Sequence, residues 1–420
     1  MLVSPNQLLR SLGNGALFLL VTRFLGKALL LLFLLVLASQ LEPSAFLDLE
    51  VISSLFNFFV WLFLAATYSL ARIGSAFPVG ELDRRLKGLL DRTLIPALLV
   101  ATLISAMIIG IGSFLDQVFG YQSSRLQLIV GLFALVQFAF SYLLGFHQAR
   151  ENYRLIGLCY LLPGLVALGA AGLFLFLDLG LETALSAYLV GAVAQLLLAY
   201  ASLHRDLMRI QELPFTGIPK RITPGLVRIS FGLVLFFVIY SMDIFSAKFL
   251  LDSASGEVYA RLEFLGRIVF TIVATASFAF FVRIVRAYDD ARLQVPELRP
   301  WPVFIIVILI VGGVALLPHL YGALFEIETV PDDLIPAMVM VVIAKIIQSF
   351  LFVVVTIKGA TVSRFVLRWL GLVMIAQSLL FLMAHDSIDA IARNILFSGG
   401  FAVILFAISL FLERKRGTFR

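Results

Sequence analysis

The sequence predicts an all-α integral membrane protein: twelve transmembrane helices in two six-helix halves around a central cavity. Three observations lead there. First, 61% of the 420 residues are hydrophobic and only 14% are charged, against about 25% charged in a soluble domain. A soluble chain could not cover that much apolar surface. Second, the apolar runs are about 20 to 27 residues long, whereas barrel strands need about 9 to 11. They also lack the polar–apolar alternation of barrel strands. In hydrocarbon every backbone N–H and C=O must be bonded within the chain, so long runs of this kind become helices. Third, lysine and arginine fall almost entirely on one side of the expected topology.

The segments run roughly 15–38, 46–72, 94–115, 126–148, 155–177, 183–204, 226–250, 257–283, 302–324, 333–357, 365–384 and 388–412. The first carries Arg23 and Lys27 and is followed by Gln40-Leu41-Glu42-Pro43, which does not fit a cleavable signal peptide. With the N-terminus inside, the inner loops hold Arg84, Arg85, Lys87 and Arg92, then Arg150 and Arg154, then Arg205, Arg209, Lys220 and Arg221, and further clusters to Arg420. The outer loops hold Arg125 alone and are otherwise acidic, from Glu42 and Asp116 to Asp332, Asp333 and Asp386. This bias predicts a multi-pass protein of the cytoplasmic (inner) membrane with both termini cytoplasmic. The net charge of +6 then belongs to the inner face and to anionic lipid; no nucleic-acid partner is expected.

The inner loop 205–225 divides the chain into an N-terminal half, 1–204, and a C-terminal half, 226–420. A weak internal repeat supports this. Phe46-Leu47-Asp48-Leu49-Glu50 matches Tyr259-Ala260-Arg261-Leu262-Glu263 at the outer mouths of the second and eighth segments. Parallel halves around a midplane site are a transporter arrangement. Pro96, Pro163 and Pro318 are expected to kink or end helices. The single cysteine, Cys159, excludes an intrachain disulfide and a cysteine-based metal site.

Charges inside the segments sort by depth. Arg393, Arg261 and Lys248 lie near outer ends and are expected to reach headgroups. Lys27 and Lys345 lie about twelve residues deep and Arg267 about ten, near mid-depth at ~1.5 Å per residue. Arg23 sits one turn from Lys27 on the same face, and Glu263 one turn from Arg267. A charge at the centre costs at least ~2.5–3.5 kcal/mol, so each deep residue needs a partner or a wet cavity. Four cations, Arg23, Lys27, Arg267 and Lys345, face two carboxylates, Asp243 and Glu263. The surplus is positive and suits an anionic ligand such as a phosphate. Asp243 and Glu263 are candidates for ion coupling; Asn57 and Gln137 are candidates for polar cavity lining. Gln195, Gln348 and Gln377 are expected in interhelical hydrogen bonds, and His147 at the inner interface. The chain has no Walker A, HExxH or GxSxG motif, and no cofactor, metal or enzymatic activity is expected.

Gly15-Ala16, then Thr22-Arg23-Phe24-Leu25-Gly26-Lys27, the outer turn Leu41-Glu42-Pro43-Ser44-Ala45-Phe46 and the hairpin from Tyr240-Ser241-Met242-Asp243 through Lys248-Phe249 to Glu257-Val258-Tyr259 resemble the polysaccharide flippases. These belong to the multidrug/oligosaccharidyl-lipid/polysaccharide exporter superfamily. The resemblance implies a V-shaped bundle, alternating access and a polyprenyl-diphosphate-linked oligosaccharide as cargo, flipped from inner to outer leaflet for surface polysaccharide synthesis. Its implied partners are membrane lipids and, along the pathway, glycosyltransferases and a polysaccharide polymerase. Two alternatives stand beside it. A cation-coupled multidrug exporter of the same superfamily would need net acidic cavity residues. A membrane glycosyltransferase or polymerase would need a large loop with clustered carboxylates.

Overall fold

The computed structural model describes residues 13–38, 43–110, 124–177, 181–207, 210–213, 223–252, 254–268, 270, 318–319, 321–323, 330–361, 365–383 and 387–415. Among these the chain is helical apart from short turns, with no strand. The helices are α1 (Gly13–Ala38), α2 (Pro43–Ser75), α3 (Leu82–Gly110), α4 (Ser124–Ala149), α5 (Tyr153–Leu177), α6 (Leu181–Leu207) and α7 (Thr223–Leu250). They continue with α8 (254–268), α9 (Leu334–Thr361), α10 (Phe365–Met383) and α11 (Ile388–Lys415). Eight of the described helices are long and apolar enough to cross a membrane. The ninth expected segment, 302–324, and the inner part of the eighth lie largely outside the described residues.

Local signals account for several ends. Pro43 opens α2, where its missing N–H is no loss and its φ suits a helix. Asp252 caps α8: its Oδ1 accepts the backbone N–H groups of Ala254 and Ser255, each at 3.0 Å. The amide and hydroxyl of Ser255 hold the Asp252 carboxyl below the ordinary carboxylate range. Ser387 caps α11 through the Ala390 N–H at 3.2 Å, as expected of a serine at this position. Pro96 and Pro163 lie inside α3 and α5, and neither ends its helix.

The chain parts between Ser230 and Phe231, within the first turns of α7, into two compact units. In the first, α1 packs on α5, α5 on α6, α6 on α4, and α4 on α2 and α3. The α1–α5 contact is the tightest kind available. A Cβ on Gly26 would stand 2.3 Å from the Tyr160 carbonyl oxygen, and one on Gly164 would stand 2.4 Å from that of Gly26. Small residues let helix backbones touch where hydrocarbon offers no hydrophobic drive. Thr67 adds a hydrogen bond from α2 to the Ser141 carbonyl of α4 at 2.6 Å.

In the second unit, α9 and α10 both pack on α11. Gln377 of α10 donates to the Ile239 carbonyl of α7 at 3.1 Å, and Ser398 of α11 donates to Gln377 at 3.3 Å. Counted by expected segments, the seventh meets the eleventh and the tenth and eleventh both meet the twelfth, as the first meets the fifth and the fourth and fifth meet the sixth in the first unit. An aromatic cluster of Phe236, Phe237, Tyr240, Phe270 and Phe352 fills this core. Across the described residues, other large apolar side chains remain exposed, as with Ile95, Leu99, Leu103 and Met107 on α3, where a membrane protein meets lipid.

Candidate functional site

In the first unit, α1 carries Arg23 and Lys27 on one face with different surroundings. Arg23 is 1% exposed, and its guanidinium lies 4.2 Å from the centre of the Tyr160 ring of α5. A cation over a ring face is worth about 0.5–2 kcal/mol, more when dry. Lys27 is half-buried. Its Nζ lies 3.4 Å from Asn57 Oδ1 of α2, and Asn57 is oriented by donating to the Ser53 carbonyl at 2.9 Å. Lys27 and Asn57 are therefore brought together. Gln137 is buried against Gln195, which donates to it at 3.2 Å. It ties α4 to α6, so the interhelical bond expected of Gln195 also engages Gln137, the residue expected to line a cavity.

In the second unit, four charged residues converge. Lys345 of α9 is 0% exposed, and so is Asp243 of α7; their ion pair measures 2.8 Å. Lys345 also lies 3.4 Å from Glu263 Oε1 of α8. It donates to the Tyr240 carbonyl at 3.2 Å, and its Nζ sits 3.9 Å from the Tyr240 ring centre. The other carboxylate oxygen, Glu263 Oε2, accepts Arg267 Nε at 3.1 Å and a second, closer guanidinium N–H. Tyr259 donates its hydroxyl to Asp243 Oδ2 at 3.1 Å. Two cations and two carboxylates thus compensate one another in charge, as buried ions require, while Asp243 Oδ1 is buried without a hydrogen-bond partner.

The four expected phosphate-binding cations divide two and two between the compact units. Arg23 and Lys27 belong to one unit, Arg267 and Lys345 to the other. The surplus of positive charge does not extend to the second unit, where Asp243 and Glu263 match Arg267 and Lys345. Near the outer ends, Arg393 is exposed as anticipated, whereas Arg261 pairs with Glu257 on its own helix. The sequence pattern named Tyr240 and Tyr259 only as parts of a repeat and a hairpin, with no role in the site. Both carried a signal: Tyr240 is one turn before Asp243, and Tyr259 stands in the internal repeat opposite Phe46.

The charged end of the first unit is organised by Arg150, in the turn between α4 and α5. It reaches Asp83 at the start of α3 and Asp206 at the end of α6, both at 2.9 Å. Next to it, His147 is fully buried and its Nε2 lies 3.0 Å from the Ala199 carbonyl, so it ties α4 to α6 rather than facing the interface. The turn holds the one non-glycine residue with positive φ among the described residues, Glu151 at 55°.

No protein-family model matches the sequence, and no curated protein does. Solved structures do. An outward-facing multidrug resistance MATE family transporter of the MOP superfamily has TM-score 0.70 and 14% identity, over 97% of this chain and 96% of that one. A MOP superfamily transporter from Pyrococcus furiosus, described as having a binding pocket of reverse polarity that suggests a different function, has TM-score 0.66 and 13% identity over 94% of each chain. A Vibrio cholerae MATE transporter has TM-score 0.67 and 16% identity, over 96% and 97%. The chain accordingly has the all-helical membrane fold of the MATE transporters of the MOP superfamily.

Proposed function

We propose that this chain is an alternating-access exporter that moves a polyprenyl-diphosphate-linked oligosaccharide from the inner to the outer leaflet of the cytoplasmic membrane. The observation that carries the reading is the polarity of the deep charges. In the first unit the mid-depth charges of α1 are both cationic, and Lys27 is half-buried beside Asn57. In this reading the diphosphate docks at Lys27, within the field of Arg23. The sugar fills the central cavity that the resemblance implies, and the polyprenyl tail stays in lipid. Arg267 and Lys345 are held by carboxylates and take no part in docking.

The second reading is a cation-coupled multidrug exporter; one similar solved structure is described as a multidrug resistance transporter. It needs carboxylates available to a cationic cargo. Here the two deep carboxylates are engaged by Lys345 and Arg267, which favours the anionic cargo.

Reconstituted protein tests this directly. Liposomes carrying a labelled polyprenyl-diphosphate oligosaccharide on one leaflet should equilibrate it only when the protein is present. Lys27→Ala should slow that rate at least roughly tenfold, the loss of one charge-assisted contact, while Lys27→Arg keeps most of it. Extrusion of a cationic dye with no movement of the lipid-linked sugar would favour the second reading. A Lys27→Ala protein that flips at the wild-type rate would remove the docking role.

A further inference from the structure

The surroundings of Lys345 have the composition of a cation site. An Asp243 oxygen at 2.8 Å, a Glu263 oxygen at 3.4 Å and the Tyr240 carbonyl oxygen at 3.2 Å surround Nζ, and the Tyr240 ring closes a fourth side at 3.9 Å. An ammonium has three N–H groups, and three oxygens meet it. The neighbouring groups hold these carboxylates in place. Arg267 holds the far oxygen of Glu263, and the Tyr259 hydroxyl donates to Asp243. The lysine stem has a built path. It runs past Gly266 of α8, where a Cβ would stand 2.5 Å from Lys345 Cγ, so any larger residue there would block it.

We propose that Asp243, Glu263 and the Tyr240 carbonyl form a monovalent-cation site that the chain fills permanently with its own Lys345 ammonium. The site is selective for a primary ammonium, because it offers three acceptors and one aromatic face. It follows that the second unit needs no sodium or potassium ion to complete its fold. Removing the lysine side chain leaves two carboxylates against Arg267 alone, a net negative enclosure open to an external primary ammonium. The inference goes beyond the transport reading and does not depend on the cargo.

The test uses the full chain purified in detergent and follows thermal unfolding. The wild-type midpoint should be the same in sodium, potassium and choline chloride at equal ionic strength. Lys345→Ala should unfold at a lower temperature. Propylammonium, which replaces the three methylenes and the ammonium that the substitution removes, should raise that midpoint by roughly 3 °C or more as the site fills. Tetramethylammonium, with no N–H, should not. Asp243→Asn/Lys345→Ala should lose the propylammonium response. Expression and extraction are run with and without the amine, so a variant recovered only with it also supports the site. Four results would overturn the proposal: no response of Lys345→Ala to propylammonium, an equal response of the double variant, recovery of Lys345→Ala in neither condition, or specific stabilisation of the wild type by sodium. No cargo enters the measurement, so its failure and failure of the flippase reading are separate results.

Discussion

Lys27 and Lys345 occupy similar depths in apolar helices, but their neighbours differ. Lys345 is enclosed and charge-compensated, whereas Lys27 keeps partial exposure and reaches Asn57. The charge pairs were unevenly legible. Glu263 and Arg267 are one helical turn apart, so their contact follows from spacing alone. Lys345 and Asp243 are far apart in the chain and meet only through helix packing, which no local pattern encodes. The Glu263–Arg267 pair also yields a prediction. Breaking a buried pair by removing one partner strands the other charge and costs about 3–5 kcal/mol, whereas replacing both with apolar residues is often neutral. Arg267→Ala should therefore lower the unfolding midpoint and the amount of protein in the membrane. Glu263→Leu/Arg267→Leu should recover less than full stability, because Lys345 keeps only Asp243, yet it should exceed the single variant. A double variant less stable than Arg267→Ala would show that Arg267 does not serve chiefly to neutralise Glu263.

At the scale of helices, hydropathy located the segments because a membrane demands about 20 apolar residues per crossing. Which helix touches which was not legible, because nearly every face is apolar and periodicity carries little information. Close contacts decide it instead. Gly26 and Gly164 let α1 and α5 meet backbone to backbone, with no space for a methyl group. Gly26→Ala should cost about 1–3 kcal/mol through overpacking, measured as a loss of thermal stability in detergent. Gly169→Ala, on the same α5 and with open space around its would-be Cβ, should be neutral. Equal effects of the two substitutions would refute the packing argument. The prolines illustrate the converse: Pro96 and Pro163 were expected to kink or end their helices, and neither ends one.

For the molecule as a whole, the repeat detected at Phe46–Glu50 and Tyr259–Glu263 has a counterpart in packing order, since the first expected segment of each unit meets the fifth and the fourth meets the sixth. The charge bias of the loops makes the topological prediction. A reporter active only in the periplasm should give no signal when fused after Arg420 and a strong one when inserted beside Asp252; the reverse pattern would invert the assigned orientation. The glycine contact between α1 and α5 bears, finally, on how such a chain evolves. Positions that face outward, such as Ile95, Leu99, Leu103 and Met107, at 60–69% exposure, can drift among apolar residue types with little selective penalty. Positions where two backbones touch cannot drift at all. A chain held by strict sites of this kind can exchange most of its outward-facing residues and still keep one architecture.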